Sequence, residues 1–341
     1  MTADLRPTLS RLASGSSLTA GETEMAFNAM MAGHATPSQV GALLMAMRVR
    51  GETVEELTGA ARAMRVNMIP VVAPDGAVDT CGTGGDVSGT FNISTAVAFV
   101  VAGCGVSVAK HGNRAVSSRS GAADVLEALG VNLDAPLDAP PGRSGEASVS
   151  FLFAPSHHAA TRHVGPSRRE LGVRTIFNLL GPLANPAGVR RQLLGVFAPQ
   201  WLVPMAEVLR ALGSERAWVV HGGDGLDELT TTTRSFVAEL RNDAVTQFEV
   251  TPEQAGLERA DPEDLRGGDP QCNAAALRRL LHGGAGAYRD VVVLNAAAAL
   301  IVADKAVDIA QGASLARRSI DTGAAAGCLD ALIRATNRVL V

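Results

Sequence analysis

The chain has 341 residues, with 30 Lys and Arg against 34 Asp and Glu, for a formal charge of −4; at ~100–200 residues per domain this length suggests two domains. A hydrophobic content of 47%, a charged content of 19% and a mean hydropathy of +0.16 exclude a disordered chain. The acidic balance and an aromatic content of 4% supply neither the basic sheath nor the stacking surface of a nucleic-acid binder.

The first seventy residues read as helices. One spans Glu22 to Ala32 and stops at Gly33. Thr36, Pro37 and Gln39 form an N-cap, a first-turn proline and the reach-back residue of a capping box. Val40, Leu43, Leu44 and Met47 then follow at helical spacing, up to Gly51. Thr53 and Glu56 repeat the box ahead of Leu57, Ala60, Ala61 and Met64. Pro70 and Pro74 mark a boundary, beyond which short apolar runs alternate with helix-like stretches. The runs are Ala77–Val78, Val106–Ala109, Phe151–Phe153, Gln192–Phe197 and Ala217–Val220. That alternation predicts an α/β fold with mostly parallel strands. Residues 134–150, with Pro136, Pro140, Pro141, Gly142 and Gly145, read as an exposed loop or a poor helix. Arg162 to Leu180 reads as helix again and as a return to the small helical unit. The apolar run Val291–Ala303, interrupted by Asn295, is a buried helix too short to span a membrane, and an amphipathic helix follows through Leu315 and Ile320. The four cysteines (Cys81, Cys104, Cys272, Cys328) have neither disulfide nor metal-finger spacing, and the N-terminus lacks a secretory pattern. The expectation is a soluble, cytoplasmic protein.

Four segments carry candidate chemistry. Asp79-Thr-Cys-Gly-Thr-Gly-Gly-Asp86 follows an apolar run and precedes Asn92, Ser94 and Thr95 at the head of an apolar helix. Glycines bring backbone N–H groups close to a ligand, and a helix N-terminus favours an anion, so the segment suits a phosphate or diphosphate. An ordinary Gly-rich turn accounts for it equally well when it is taken alone. Lys110-His-Gly-Asn-Arg114, then Ser117 and Ser118, follow the next strand. Taken alone they read as a solvated basic turn; placed one helix and one strand after the glycine turn, at a sheet's ligand-binding end, they read as polyanion contacts. Asp227 and Glu228, after the strand ending at Val220, are hard oxygen donors for Mg²⁺ or surface acids on a turn. Arg168, Arg169 and Arg174 lead into Asn178-Leu-Leu-Gly-Pro-Leu-Ala-Asn-Pro186, as bidentate anion ligands or as a charged helix face. His157 and His158 shape a pocket or cap a helix, and Cys81 is a small packed residue.

Taken in order, DTCGTGGD, FNIST, KHGNRAVSS, RRELGVRTIFNLLGPLANP and VHGGDGLDE closely resemble the anthranilate phosphoribosyltransferase family of tryptophan biosynthesis. The resemblance covers nearly the whole chain. It implies a nucleoside phosphorylase/phosphoribosyltransferase-like fold: a small all-helical domain (residues 1–72 and about 163–185) and a large α/β domain with a mostly parallel central sheet (73–162 and 186–341). The implied activity moves 5-phosphoribosyl from 5-phosphoribosyl 1-diphosphate (PRPP) to the amine of anthranilate, with Mg²⁺, in a cytoplasmic homodimer joined through the helical domains. The matched PRPP positions are Gly82, Gly85, Asp86, Thr90, Asn92, Ile93, Ser94, Thr95, Lys110, His111, Gly112, Asn113, Arg114, Ala115, Val116, Ser117, Ser118 and Ala122. Gly82, Asn113 and Arg168 match the anthranilate positions, and Ser94, Asp227 and Glu228 the Mg²⁺ positions. Lys110, Asp227 and Glu228 are the expected catalytic groups, stabilising the departing diphosphate. Two departures stand out: Ala122 where the family often has serine, at an expected ~1 kcal/mol in affinity, and the Pro/Gly-rich stretch before Phe151 where a helix is usual. The alternatives are a pyrimidine-nucleoside phosphorylase, which KHGNR and LGPLANP disfavour, and an inactive nucleic-acid-binding relative, which the negative charge and the intact acidic pair disfavour.

Overall fold

The computed structural model describes residues 4–85, 89–115, 119–135 and 148–337. Four helices open the chain: α1 (Arg6–Ala13), α2 (Ala20–Met31), α3 (Pro37–Arg50) and α4 (Val54–Val66). The boxes at Thr36/Gln39 and Thr53/Glu56 form with both reciprocal hydrogen bonds, and Thr19/Glu22 adds a third. α2 and α4 pack closely enough that a Cβ on Gly59 would lie 2.1 Å from the Ala20 carbonyl oxygen, so only glycine fits there.

The remainder runs β1 (Val78–Gly82), α5 (Ile93–Gly103), β2 (Val108–Gly112), α6 (Ala122–Ala128), β3 (Val149–Phe153), α7 (Ala154–His157), α8 (Gly165–Leu171), α9 (Phe177–Leu180), β4 (Arg191–Gly195), α10 (Leu202–Ala211), β5 (Arg216–Gly222), β6 (Ser235–Arg241), β7 (Ala244–Val250), α11 (Pro270–Leu281), α12 (Ala287–Val302), α13 (Ile309–Asp321) and α14 (Ala324–Thr336). The sheet order is β3-β2-β1-β4-β5-β6-β7, parallel through β5 and antiparallel beyond. All five strands expected from apolar runs are present. The β6–β7 hairpin was not anticipated. It turns on Asn242 and Asp243, both at positive φ (51° and 59°), the backbone of a tight two-residue hairpin.

Residues 162–180 do not form one continuous helix. α8 stops at Gly172, which sits in the left-handed region (φ +63°), and α9 restarts after the Asn178 side chain accepts the Thr175 N–H at 3.0 Å. Val164, Ile176, Phe177, Leu179 and Leu180 nonetheless bury into one cluster with α1–α4.

Adjacent strand residues face opposite cores. Leu193, Trp218 and Val220 bury against α5 and α11–α14, whereas Leu194, Ala217 and Val219 bury on the side of α4 and α10. Strand order reverses between β1 and β4, so the crevice beyond their carboxyl ends is where a doubly wound sheet takes its ligand. Among the described residues no helix is long and apolar enough to cross a membrane.

Candidate functional site at the carboxyl ends of β1 and β4

β1 delivers Gly82, Thr83, Gly84 and Gly85 into this crevice. Thr83 donates its N–H to the Gly195 carbonyl at 2.9 Å, and the Thr83 hydroxyl accepts the Phe197 N–H at 3.0 Å, so the glycine turn is anchored to the end of β4. The loop after β5 folds over it, and Gly84 N–H donates to Asp227 Oδ2 at 2.7 Å. That carboxylate lies 2.5 Å from where a Gly82 Cβ would stand. Asp224 braces the same loop by accepting the hydroxyls of Thr230 (2.7 Å) and Thr232 (2.6 Å). Glu228, buried beside Asp227, is near enough to Tyr288 for its charge to add to burial in pushing that phenol up. The Tyr288 hydroxyl donates to the Asn92 carbonyl at 3.1 Å, which ties α12 to the head of α5.

Asn92 stands at the N-cap of α5, yet its side chain does not cap the helix. Its amide donates to the Ser120 carbonyl (3.1 Å) and its oxygen accepts from Asn273 (2.9 Å). Asn92 therefore holds three segments together rather than offering a free side-chain donor. Ile93 and Thr95 are buried under the helix's first turn. Thr90 pairs with Arg266 as an isolated bridge that closes the loop's far side.

The Lys110 side chain is buried below this loop rather than exposed in the crevice. Its ammonium donates to the Thr80 carbonyl and, at 3.2 Å, to Ser94 Oγ. The nearby carboxylate that feels its charge is Asp79, fully buried on β1, which accepts from the His111 N–H (3.2 Å), Asn185 Nδ2 (2.8 Å) and Gln192 Nε2 (3.3 Å). Burial raises the Asp79 pKa, and Lys110 opposes that rise. Arg114, expected as a polyanion contact, already has carboxylate partners in the protein. Its guanidinium binds Asp124 (3.1 Å) and Glu127 (2.8 Å) of α6 and lies over the Phe153 ring, so most of its charge is already matched. Asn113 accepts the Arg114 N–H at 2.8 Å, Ala115 N–H donates to Asp124 at 2.9 Å, and Ala122 packs against the Gly112 backbone. Asp86, Val116, Ser117, Ser118 and the Pro/Gly-rich stretch with Pro140, Pro141, Gly142 and Gly145 lie outside the described residues.

On the side of the crevice nearer α1–α4, Arg168 is half-buried and its guanidinium lies 4.8 Å above the Phe177 ring. Arg174 donates to the Gly85 carbonyl and lies 4.5 Å above Phe197. In the sequence Arg174 is only one of a run of arginines; its link to the glycine turn spans 89 residues and leaves no spacing signal. His111 and His158 lie with ring centroids 5.2 Å apart, tilted by 55°, and each has a buried Nε2 without a hydrogen bond among the described residues. Burial and then the neighbouring imidazoles push His111 down to about 3, and the same two causes push His158 down to about 4, so both rings are neutral. His157 Nδ1 pairs with the Ile69 carbonyl at 2.9 Å. Among the described residues no three His, Cys, Asp or Glu side chains group as a metal cage. Cys81 is packed against Gln192, and burial holds its thiol well above its usual pKa.

An acidic pair beside a glycine turn at the switch point of a doubly wound sheet is a geometry suited to an anionic ligand with a divalent cation. Residues 74–326 match the a/b domain of a glycosyl transferase family and residues 6–68 match its helical bundle domain, and the chain belongs to that family. Within it, the chain is 60% identical to the anthranilate phosphoribosyltransferase of Azospirillum brasilense, over 98% of this chain and 94% of that protein. It is 58% identical to that of Brucella canis, over 98% of each. Among solved structures, anthranilate phosphoribosyltransferase from Thermus thermophilus superposes with a TM-score of 0.90 at 46% identity, covering 97% of this chain and 99% of that one. The Saccharomyces cerevisiae enzyme in complex with PRPP and Mg superposes with a TM-score of 0.89 at 27% identity, over 98% of this chain and 99% of its own.

Proposed function

We infer that this chain transfers the 5-phosphoribosyl group of PRPP to the amine of anthranilate, releasing diphosphate, as a step of tryptophan biosynthesis. The observation that carries the reading is the acidic pair Asp227–Glu228 closed over the glycine turn of β1. The yeast relatives solved with PRPP and Mg and with 4-fluoroanthranilate support it.

The donor set fits Mg²⁺. Asp227, Glu228 and Ser94 offer only hard oxygens, and Gly82 leaves room where a side chain would strike the Asp227 carboxylate. These three residues are the proposed metal holders; when bound, the ion neutralises charge on the diphosphate oxygens. Gly82, Gly85, Asp86, Thr90, Asn92–Thr95, Lys110–Ser118 and Ala122 are proposed to surround PRPP. For Asn92 the contact is assigned to its backbone, because its side chain is engaged elsewhere. Lys110 works from beneath Ser94, adding a fixed positive charge under the leaving group without needing to reorient. Gly82, Asn113 and Arg168 are proposed for anthranilate. The aryl amine becomes acidic once bonded to the sugar carbon, so the chemistry demands orientation more than a strong base.

The small unit is proposed to comprise residues 1–72 with about 163–185, whose buried side chains share one cluster that also takes in α10 and one face of the sheet. A homodimer through this unit belongs to the same reading, supported by Met25, Val49 and Val66, which α2–α4 leave exposed. A cytoplasmic location completes it. Mixing the protein with anthranilate, PRPP and Mg²⁺ should extinguish anthranilate fluorescence; a flat trace from folded protein overturns the assignment.

A further inference from the structure

Asn295 is the single polar residue between Val291 and Val302, in the middle of α12, and it is fully buried. Leu229 donates its N–H to Asn295 Oδ1 at 2.9 Å, while Asn295 Nδ2 donates to the Leu229 carbonyl at 2.7 Å and to the Val291 carbonyl at 2.9 Å. A carboxamide is the neutral group that offers donor and acceptor side by side, so one side chain grips both polar groups of one residue. The residue it grips directly follows Glu228. Two turns earlier on α12, Tyr288 donates to the Asn92 carbonyl at 3.1 Å and stacks on Phe91 at 4.5 Å. One rigid helix thus fastens the residue after Glu228 and the residues just ahead of Ser94.

We propose that Asn295 is a positioning residue for the acidic pair: through its two-pronged hold on Leu229, α12 gauges the separation between the Glu228 carboxylate and the Ser94 end of α5. This rests on the reading that Asp227 and Glu228 hold Mg²⁺. Merely satisfying a buried polar group would require only that the fold survive; gauging requires that the metal-dependent step change selectively.

The test compares Asn295→Ala and the isosteric Asn295→Asp, which loses the donor, with Leu300→Ala, an equally buried change on the same helix away from Leu229. In the Asn295 variants the Mg²⁺ concentration for half-maximal rate should rise about 10- to 100-fold, the range typical when a metal ligand loses its support. Anthranilate KM should stay within about twofold, the pattern of a selectively lost interaction. Two readouts need no turnover: hydrogen exchange at the Leu229 amide should accelerate, and calorimetric PRPP binding in the presence of Mg²⁺ should weaken by a similar factor. Leu300→Ala should lower thermal stability without moving the Mg²⁺ requirement. A folded Asn295 variant with an unchanged Mg²⁺ requirement, or a Leu300→Ala variant that shifts it equally, overturns the proposal. If Asp227→Ala with Glu228→Ala abolishes the Mg²⁺ requirement while the Asn295 variants keep it, only the gauge is wrong. If that double variant leaves the requirement intact, the metal assignment fails and the gauge with it.

Discussion

The main-chain carbonyl of Asp227 occupies the space that a side chain on Gly195 would need: a Cβ there would lie 1.5 Å from the oxygen. Gly195 is the register partner of Gly82, whose own Cβ would lie 2.5 Å from the Asp227 carboxylate. Two paired glycines at the ends of β1 and β4 therefore form the slot in which Asp227 rests. Gly195→Ala meets backbone, which no rotamer change relieves, so the loop carrying the acidic pair has to lift. The expected result is a loss of about 10²-fold in kcat/KM for PRPP, the scale of an ångström-level misplacement. Steady-state kinetics with a melting curve check it, and a stable variant of near-native activity would contradict the slot. Gly82→Ala should cost less, since it meets the movable end of a side chain.

Removing the acidic pair isolates its chemistry. Asp227→Ala with Glu228→Ala leaves the glycine turn and Lys110 in place but deletes the proposed metal oxygens. Turnover should fall by about 10³-fold or more, in the range of losing a major electrostatic contribution. The residual rate should no longer respond to Mg²⁺ titration. A double variant with wild-type turnover removes both residues from the mechanism.

Asp79 concerns stability as much as catalysis. It receives three hydrogen bonds from β2, β4 and the Asn185 segment, all of them buried. Asp79→Asn replaces one acceptor oxygen with an NH₂ that faces donors, leaving a buried donor without its acceptor. A buried donor left in that state costs about 1–3 kcal/mol. Urea unfolding checks it: a stability loss below about 1 kcal/mol would show the site re-solvated instead.

Legibility in the sequence followed the range of the interaction. The capping boxes at Thr36 and Thr53 form within four residues, and both were readable. The five parallel strands were readable as apolar runs. The β6–β7 hairpin was not, because its strands mix Glu239, Arg241, Thr246, Gln247 and Glu249 with the apolar positions and its turn is Asn-Asp without glycine. Arg114 illustrates the limit at the site. As a cation beside Lys110 it reads as an anion ligand, and nothing in that spacing shows the carboxylates it also pairs with, which lie 10 and 13 residues later on a helix folded back against it. Lys110 read as exposed at a strand end. What holds it down is the Thr80 carbonyl on the neighbouring strand, 30 positions earlier in the chain, a contact that exists only once β1 and β2 are in register. Arg174 on the Gly85 carbonyl, and Asn295 on Leu229, likewise depend on pairings that no local spacing encodes.

The histidines beside the crevice make acid the weak side of this fold. Burial holds His111 at about 3 and His158 at about 4 in the folded chain, against an ordinary value near 6.5. Between those folded values and about 6.5 the unfolded chain binds protons that the folded chain refuses, so stability rises with pH in this window. The contribution is fully present above about 6.5 and is lost as pH falls below it, at no more than about 1.4 kcal/mol per pH unit for each ring. Thermal melts at pH 7 and pH 5 should therefore show a clear drop in Tm at the lower pH. His158→Asn should weaken the fold at pH 7, because a packed ring is lost, yet flatten the slope toward pH 5, because one of the two protonation sites is gone. The comparison is between slopes, so an overall loss of stability does not obscure it: parallel Tm lines for the two proteins would mean that His158 takes up its proton as readily in the folded chain as in the unfolded one.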